Sequence, residues 1–197
     1  MDDIIDAVLF QDLGALDPED AIQRTGCAFD QASKVFRIKI WDRTYEADPA
    51  KQRISVPGGQ SHGAYMALFV LHCLMRAQGI SLSGQWVSEK DLPSGAAFFR
   101  GPHTLPTRMV AQTFENDLEG FNRRCELLGG SPLDMADAAF AFEITPKIPV
   151  AVLFWLGDAD FTSEVKLLFD RTIALHLPLD IVYALAVQVC CTLSEDG

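Results

Sequence analysis

The stretch FWLGDADFTSEVKLLFDRTIALHLPLDIVYALAV, residues 154–187, carries the clearest succession of secondary-structure signals in the chain. It starts at the end of an apolar run, residues 149–156, which predicts a strand that is covered on both faces and lies centrally in a sheet. An acidic turn with the sequence GDAD follows at residues 157–160. Beyond it, the sequence predicts a helix over about residues 164–175 and, after a Leu-Pro break, a last helix over about residues 178–192.

The segments that precede this stretch predict further strands and two long helices. Residues 138–144 form an apolar run that a short connection joins to residues 149–156, so the two strands are expected to be antiparallel. A period-two alternation of apolar and polar residues over residues 35–56 predicts three more strands. An apolar run over about residues 61–77 predicts a buried central helix, and an amphipathic pattern over residues 106–128 predicts one long helix.

Together these elements predict an α+β fold, in which helices pack on a mostly antiparallel sheet. The length of 197 residues and a hydrophobic content of 49% suffice for one core, so a single domain over residues 1–197 is expected. Residues 1–17 are acidic and are expected to be only loosely attached to that domain. Trp155 is predicted to lie in the main core on the central strand, and Phe169 to lie there on the following helix.

The charge of the chain restricts its partners. A formal net charge of −11 opposes binding to nucleic acid and to anionic lipid, so neither a nucleic-acid partner nor membrane association is expected. The N-terminus MDDIIDAVLF lacks the basic and then apolar order of a signal peptide, and the longest apolar run, residues 64–75, is too short to span a bilayer. These features are typical of a soluble cytoplasmic protein whose partner is another protein or a small ligand.

Cysteine and histidine residues show no spacing typical of a metal or cofactor site. The five cysteines are odd in number and include no C-x-x-C pair, and no two of the four histidines are spaced as in H-E-x-x-H. Structural thiols are therefore expected, with no bound cofactor and no preassembled zinc or iron site. The histidines are His62, His72, His103 and His176.

A cluster of basic residues interrupts the acidic sequence. Alternation along the predicted hairpin places Arg37 and Lys39 on its outward face together with Trp41. A solvated sheet face that resists edge pairing is the favoured interpretation. Docking of an acidic partner, or of the chain's own acidic N-terminus, is the alternative. The cluster consists of Lys34, Arg37, Lys39, Arg43, Lys51 and Arg53.

Seven short blocks of sequence, in a fixed order, carry a resemblance to a known family. They are LFVLH (68–72), SGQWVS (83–88), DLPSG (91–95), LGG (128–130), FWLGDADF (154–161), LLFD (167–170) and HLP (176–178). Over about residues 20–193 the chain resembles the bacterial and archaeal family named domain of unknown function 3786, which has no agreed catalytic or binding residues. Some members look fused to a cysteine-rich iron–sulfur segment and occur in anaerobic organisms. The resemblance therefore implies a setting in anaerobic redox or corrinoid-dependent one-carbon metabolism.

The acidic turn supplies the candidate ligand-binding residues. Asp158 and Asp160 follow directly on the predicted central strand, where a rigid scaffold can hold polar groups at the edge of a packed core. Asp170 on the next predicted helix, and His176 before the Leu-Pro break, are expected to converge with them on one side of the fold. Such a set would form a shallow polar pocket for a cation or for a cationic group of a partner. The simpler interpretation is a turn in which aspartates bind their own backbone.

Two functional classes follow from these residues. The first is a non-catalytic binding or accessory domain, because the strong patterns are those of core and scaffold. The second is an enzyme assisted by Mg²⁺ or Ca²⁺, which would bind through the carboxylates of Asp158 and Asp160. The sequence contains no G-x-S-x-G, no G-x-G-x-x-G and no G-K-[ST] motif, so no particular catalytic mechanism is predicted.

Overall fold

Eight helices and two antiparallel sheets are formed by residues 5–195, the part of the chain that the computed structural model describes. The helices are α1 (Ala7–Gly14), α2 (Pro18–Thr25), α3 (Ala64–Arg76), α4 (Gly95–Phe98), α5 (Thr107–Phe114), α6 (Leu118–Leu127), α7 (Ile173–His176) and α8 (Leu179–Ser194). The strands are β1 (Ala28–Asp30), β2 (Val35–Ile40), β3 (Arg43–Asp48), β4 (Arg53–Ser55), β5 (Trp86–Val87), β6 (Ser131–Pro132), β7 (Ala138–Thr145), β8 (Ile148–Trp155) and β9 (Glu164–Asp170).

The strands are divided between two sheets in an order that largely follows the chain. The first sheet has the order β1-β2-β3-β4, and the second has the order β5-β9-β8-β7-β6. The β7–β8 hairpin and the antiparallel pairing predicted for it are confirmed. Strand β8 lies in the middle of the second sheet and is buried on both faces, as its continuous apolar sequence predicts. The α+β prediction is thus confirmed, with two sheets where one was expected.

Helix α3 occupies the position of the predicted buried central helix. It contacts β2 and β3 of the first sheet and packs along α8. Helix α5 packs against both α8 and β9 and so connects the helices to the second sheet. One continuous apolar core therefore includes Phe36 of the first sheet, Phe69 of α3 and Phe154 of the second sheet. Burial of apolar surface by all these layers together is the main source of stability.

Residues 164–170 form strand β9, so the helix predicted over residues 164–175 is wrong. Val165, Leu167 and Phe169 alternate inward and are buried, at 3%, 1% and 0% exposure. The physical reason lies in the neighbouring strand: β8 is covered on both faces and needs a hydrogen-bonding partner on each edge, and β9 fills the edge opposite β7. Phe169 lies in the main core as predicted, although on a strand.

The helix predicted over residues 106–128 is broken into α5 and α6. The break lies at Glu115, whose backbone has φ 47° and ψ −107°, and Asp117 then caps α6 by accepting a hydrogen bond from the N–H of Gly120. The two halves can therefore pack in different directions. Phe121 of α6 stacks on Phe154 of β8, and Ala111 of α5 is buried near the start of β9.

Two further expectations differ from the structure. Helix α1 packs onto α3 with Leu13 fully buried, so residues 7–14 are held against the core and are not loosely attached; residues 1–4 lie outside the described residues. Trp155 is only partly buried and joins a small cluster on the outer face of the second sheet, where Lys166 lies over its ring. The prediction that Trp155 belongs to the main core is therefore wrong, because its side chain, at the end of β8, points away from that core.

Among residues 5–195, no helix has the length and the apolar composition that crossing a bilayer requires.

Candidate functional site

The loop that joins β8 to β9 is a tight turn held together by its own hydrogen bonds. The Asp158 N–H donates to the carbonyl of Phe161 at 2.8 Å, and one oxygen of the Asp158 carboxylate accepts from the N–H groups of Asp160 and Phe161 at 2.8 and 2.9 Å. These two bonds lower the pKa of Asp158. The simpler interpretation of the turn, in which an aspartate side chain accepts hydrogen bonds from neighbouring backbone N–H groups, thus accounts for one of the two carboxylate oxygens.

Gly157 lets the loop close this tightly. A Cβ at this position would lie 2.7 Å from the Ser163 nitrogen and 2.8 Å from the Phe161 oxygen, both backbone atoms. The Gly157 N–H also donates to the side-chain oxygen of Asn116 at 2.9 Å, and the Ser163 hydroxyl donates to the Ala111 carbonyl at 3.2 Å. The loop is therefore tied at both ends to the end of α5 and the residues that follow it.

A cleft of about 530 Å³ lies between this loop and α5. Its charged residues are Asp158, Asp160, Glu115 and Arg108, so carboxylates predominate over the single base. Phe161 lines the same cleft and is 73% exposed. We refer to this space as the acidic cleft. Asp158 and Asp160 both line this cleft. Of the four residues that were expected to converge, these two therefore lie together.

Asp170 and His176 do not belong to the acidic cleft, which corrects the predicted convergence of four residues. Trp155 pairs with Glu164 at the cleft end of β9, whereas Asp170 is the last residue of the same strand. Six residue steps along a strand span ~20 Å. A helix over 164–175 would have shortened this separation, but the strand extends it, so the two pairs of residues lie at opposite ends of the second sheet.

Asp170 is a buried carboxylate with a structural role, because it holds neighbouring backbone segments by hydrogen bonds. It is 4% exposed and accepts hydrogen bonds from the backbone and hydroxyl of Ser83, from the backbone of Gly84, and from the backbone and hydroxyl of Thr172. Burial alone would raise the pKa of Asp170, but the hydrogen bonds from Thr172 and Ser83 outweigh it and lower that pKa to about 2. The carboxylate therefore stays ionised and fastens the 83–84 loop to the end of β9.

His176 is likewise enclosed by the fold. It is 2% exposed, and its Nδ1 accepts a hydrogen bond of 3.0 Å from the N–H of Gln78, which places the proton of the neutral ring on Nε2. Nε2 is buried and has no hydrogen-bond partner among the described residues. Burial lowers the pKa of His176, and the charge of Lys147 lowers it further. The ring is thus a neutral core histidine at the end of the short helix α7.

The thiols and the basic cluster offer no second site. Burial raises the pKa of Cys73, Cys125 and Cys190 to about 12, which is typical of structural thiols. No group of three or more His, Cys, Asp or Glu side chains that could hold a metal ion is found within residues 5–195. In the basic cluster, Arg37 is paired with Glu46 at 2.8 Å. Trp41 does not share its outward face: the indole turns inward onto Phe142 and donates to the Leu128 carbonyl at 2.7 Å.

The residues of the acidic cleft that the sequence did not indicate include Arg108, Glu115, Asn116 and Phe161. A signal for Glu115 and Asn116 exists, because the three polar residues 115–117 interrupt the apolar stripe and end in an aspartate that can cap a helix. Phe161 stands alone among polar residues, which is typical of an exposed aromatic. The approach of Arg108 depends on the packing of α5 beside β9, which no local pattern predicts.

Comparison with known families finds a match to the model described as Domain of unknown function (DUF3786), over residues 17–192. Comparisons with curated proteins and with solved structures find no significant match. The matched range contains every strand of both sheets and most of the helices, including the whole of the acidic cleft. The chain therefore belongs to the family Domain of unknown function (DUF3786).

Proposed function

We propose that this protein is a non-catalytic binding domain that holds a basic side chain of a partner protein in the acidic cleft. The observation that carries the proposal is the exposed ring of Phe161 beside the carboxylates of Asp158 and Asp160. A lysine or arginine side chain has an aliphatic stem and a cationic head, and it therefore matches an apolar ring that lies next to carboxylates. An aromatic ring exposed at 73% on a loop fixed by backbone hydrogen bonds is a preformed contact surface.

The electrostatics of the cleft and of the whole chain support a basic partner. The pKa of Asp158 is lowered by backbone N–H groups, so its carboxylate stays ionised well below neutral pH. Only one oxygen of that carboxylate is used by the turn, and Asp160 makes no side-chain hydrogen bond among the described residues. The net charge of −11 adds a long-range attraction that raises the rate of encounter with a basic surface.

The setting that the family resemblance implies is part of the proposal: the partner would act in anaerobic redox or corrinoid-dependent one-carbon metabolism. In the alternative proposal, an enzyme uses Mg²⁺ or Ca²⁺ bound to Asp158 and Asp160. Calcium therefore serves as the probe that separates the two.

The proposal is tested by nuclear magnetic resonance with a short acetylated peptide that contains one arginine between glycines. We expect its addition to shift the amide signals of residues 157–163 and of the facing part of α5. Asp160→Asn should weaken binding about two- to fivefold, since an exposed charge pair is worth less than about 1 kcal/mol. Phe161→Ser should weaken it by a similar factor through loss of the ring contact.

Asp134→Asn is the matched control, because it removes one exposed carboxylate outside the cleft. Equal weakening by Asp134→Asn and Asp160→Asn would mean that only net charge matters, which contradicts the proposal. Binding of Ca²⁺ alone at the same amides, with loss of that binding in Asp160→Asn, would contradict it in favour of the metal-assisted enzyme.

A further inference from the structure

A cleft of about 660 Å³ lies between the end of α1 and the first sheet. It shares no lining residue with the acidic cleft, and its volume is within the range of ~300–1,000 Å³ that is typical of small-molecule sites. Its lining residues come from 10–18, from 29–36 in the β1–β2 hairpin, and from the turn at 49–50. Most of these side chains are apolar, and we refer to the space as the apolar cleft.

The apolar cleft leaves part of its apolar surface accessible. Phe10 and Phe36 form its floor and belong to the core, since they are only 4% and 2% exposed. Leu16, Phe29 and Pro49 also line the cleft, and each of them is only partly buried. Partly exposed apolar side chains that share one concave surface gain free energy when a ligand covers them.

Gly14, the last residue of α1, leaves the cleft open on the side of the helix. Its φ is not positive, so the backbone there does not require a glycine. A Cβ at this position would lie 3.4 Å from the Cβ of Pro49, which is an ordinary contact distance. Glycine is also a poor helix former. The sequence therefore keeps a residue without a side chain where a larger residue would suit the helix, and the space that results is part of the cleft.

The charge of the apolar cleft is opposite to that of the molecule. Among the described residues that line it, Lys34 alone is charged, although the chain has a net charge of −11. No other member of the basic cluster lines this space. Lys34 is exposed and forms no salt bridge within residues 5–195. Its charge therefore remains available to an anionic group of a ligand.

The hairpin holds the Lys34 side chain beside an aromatic wall of the cleft. Its Nζ donates to the side-chain oxygen of Gln31 at 3.1 Å and lies 5.8 Å from the centroid of the Phe29 ring. The Lys34 N–H donates to the Asp30 carbonyl at 2.7 Å, which closes the turn. Lys34 has a φ of 60°, in the left-handed region that glycine adopts more readily. The turn thus carries a lysine at a position where its backbone favours glycine.

From this shape and this charge, we propose that the apolar cleft binds a small carboxylic acid with an apolar body. The body covers Leu16, Phe29 and Pro49, and the carboxylate pairs with the ammonium of Lys34. An ammonium has three N–H donors, and Gln31 accepts from only one of them.

The size of the accessible surface favours a small molecule over a protein partner. A few partly buried side chains supply much less area than the ~1,000 Å² that a specific protein interface buries. The same chemistry is offered by an alkyl acid and by an aromatic acid, because the walls of the cleft include both aliphatic and aromatic side chains.

Nuclear magnetic resonance with matched probes tests the proposal on the full chain. Decanoate and decanol share one alkyl chain and differ in charge, and both are used below the concentration at which micelles form. We expect decanoate to shift the amide signals of residues 10–18, 29–36 and 49–50 and to bind about three- to fivefold more tightly than decanol, as expected for one exposed ion pair. Naphthylacetate supplies an aromatic body: tighter binding than decanoate assigns an aromatic acid, and weaker binding assigns an alkyl acid.

Lysine variants test the charged contact. Lys34→Gln should abolish the preference for decanoate over decanol and change the affinity for decanol less than about twofold, because only the charge is lost. Lys34→Arg should retain the preference. Lys39→Gln is the matched control, since Lys39 is an exposed base on the same sheet outside the cleft, and it should also retain the preference.

Gly14→Leu tests the location of the apolar body. Its side chain should occupy the cleft and weaken binding of all three probes at least about tenfold. The urea midpoint of unfolding should stay the same or rise, because leucine is a better helix former than glycine. The lysine variants give their result whether or not this variant folds.

Four results would overturn the proposal. The first is an unchanged preference for decanoate in Lys34→Gln, and the second is an equal loss of that preference in Lys39→Gln. The third is binding at full affinity in a folded Gly14→Leu protein. The fourth is a shift of the same amide signals with protein concentration alone, together with a dimer in sedimentation, which would assign the cleft to a second copy of the chain.

Discussion

The carboxylate of Asp170 fixes two separate backbone segments at the end of β9. It receives hydrogen bonds from Ser83 and Gly84 on one side and from Thr172 on the other. Hydrogen bonds to a charged acceptor are stronger than those between neutral groups, so the loop before β5 is held firmly. Since β5 starts two residues after Gly84, this carboxylate also determines where β5 meets β9.

Protonation of one buried and one partly buried histidine should make stability depend on pH. Burial lowers the pKa of both His176 and His72 in the folded protein. In the unfolded chain a histidine has a pKa of about 6.5 and binds a proton that the folded state excludes. The unfolded state is then favoured as pH falls, so the free energy of unfolding should decrease below about pH 6.5.

Urea unfolding measured between about pH 8 and about pH 5 checks this prediction, and His176→Asn is the informative variant. Its amide oxygen can still accept from the N–H of Gln78, but it does not titrate in this range. The variant should therefore show a smaller loss of stability over the same interval. An identical slope in the variant and the natural protein would contradict the assignment to His176.

Strand β9 illustrates what could be predicted at the scale of elements. Val165 and Phe169 are four residues apart, which fits a helix face, whereas Val165, Leu167 and Phe169 fit a strand face equally well. Pairing with β8 decides between them, because β8 needs a strand on this edge. The local periodicity of residues 164–170 does not show that requirement. The two hairpins and α3 were predictable because their turns and apolar runs are local. For the acidic cleft, only the loop with Asp158 and Asp160 was predictable. The wall formed by α5 depends on tertiary packing, which local sequence does not show.

Glu115 shows a backbone conformation that a glycine would adopt more readily. Its φ of 47° and ψ of −107° lie in a region that residues with a Cβ rarely visit, at a cost of about 1–3 kcal/mol. Glu115→Gly should therefore leave the free energy of unfolding unchanged or raise it by about 1 kcal/mol. Gln112→Gly, at an exposed position inside α5, should lower it by about 1 kcal/mol.

Denaturant unfolding of the two glycine variants side by side provides the measurement. A loss at position 115 as large as that at position 112 would show that the break between α5 and α6 carries no strain. A gain at position 115 would instead identify this wall of the acidic cleft as a place where the fold accepts strain to orient a loop.

The two sheets are joined through Trp41 into one molecule. Its backbone N–H donates to the Ile144 carbonyl at 2.8 Å, and its indole N–H donates to the Leu128 carbonyl at 2.7 Å. The ring lies 4.9 Å from that of Phe142, between centroids, so it also contributes apolar contact. Together with the continuous core around α3, this joint implies that the first and the second sheet unfold together.

Trp41→Phe tests the joint at the level of the whole molecule. The change keeps most of the apolar contact but leaves the Leu128 carbonyl without its donor, and we expect a cost of about 1–3 kcal/mol. Trp155→Phe is the matched control: that indole is partly buried on the outer face and makes no hydrogen bond among residues 5–195, so the cost should stay below about 1 kcal/mol. Circular dichroism and calorimetry should show one cooperative transition in the natural protein and in both variants. Equal costs for the two substitutions, or two separate transitions in the natural protein, would mean that the sheets are independent units and that Trp41 only covers a shared surface.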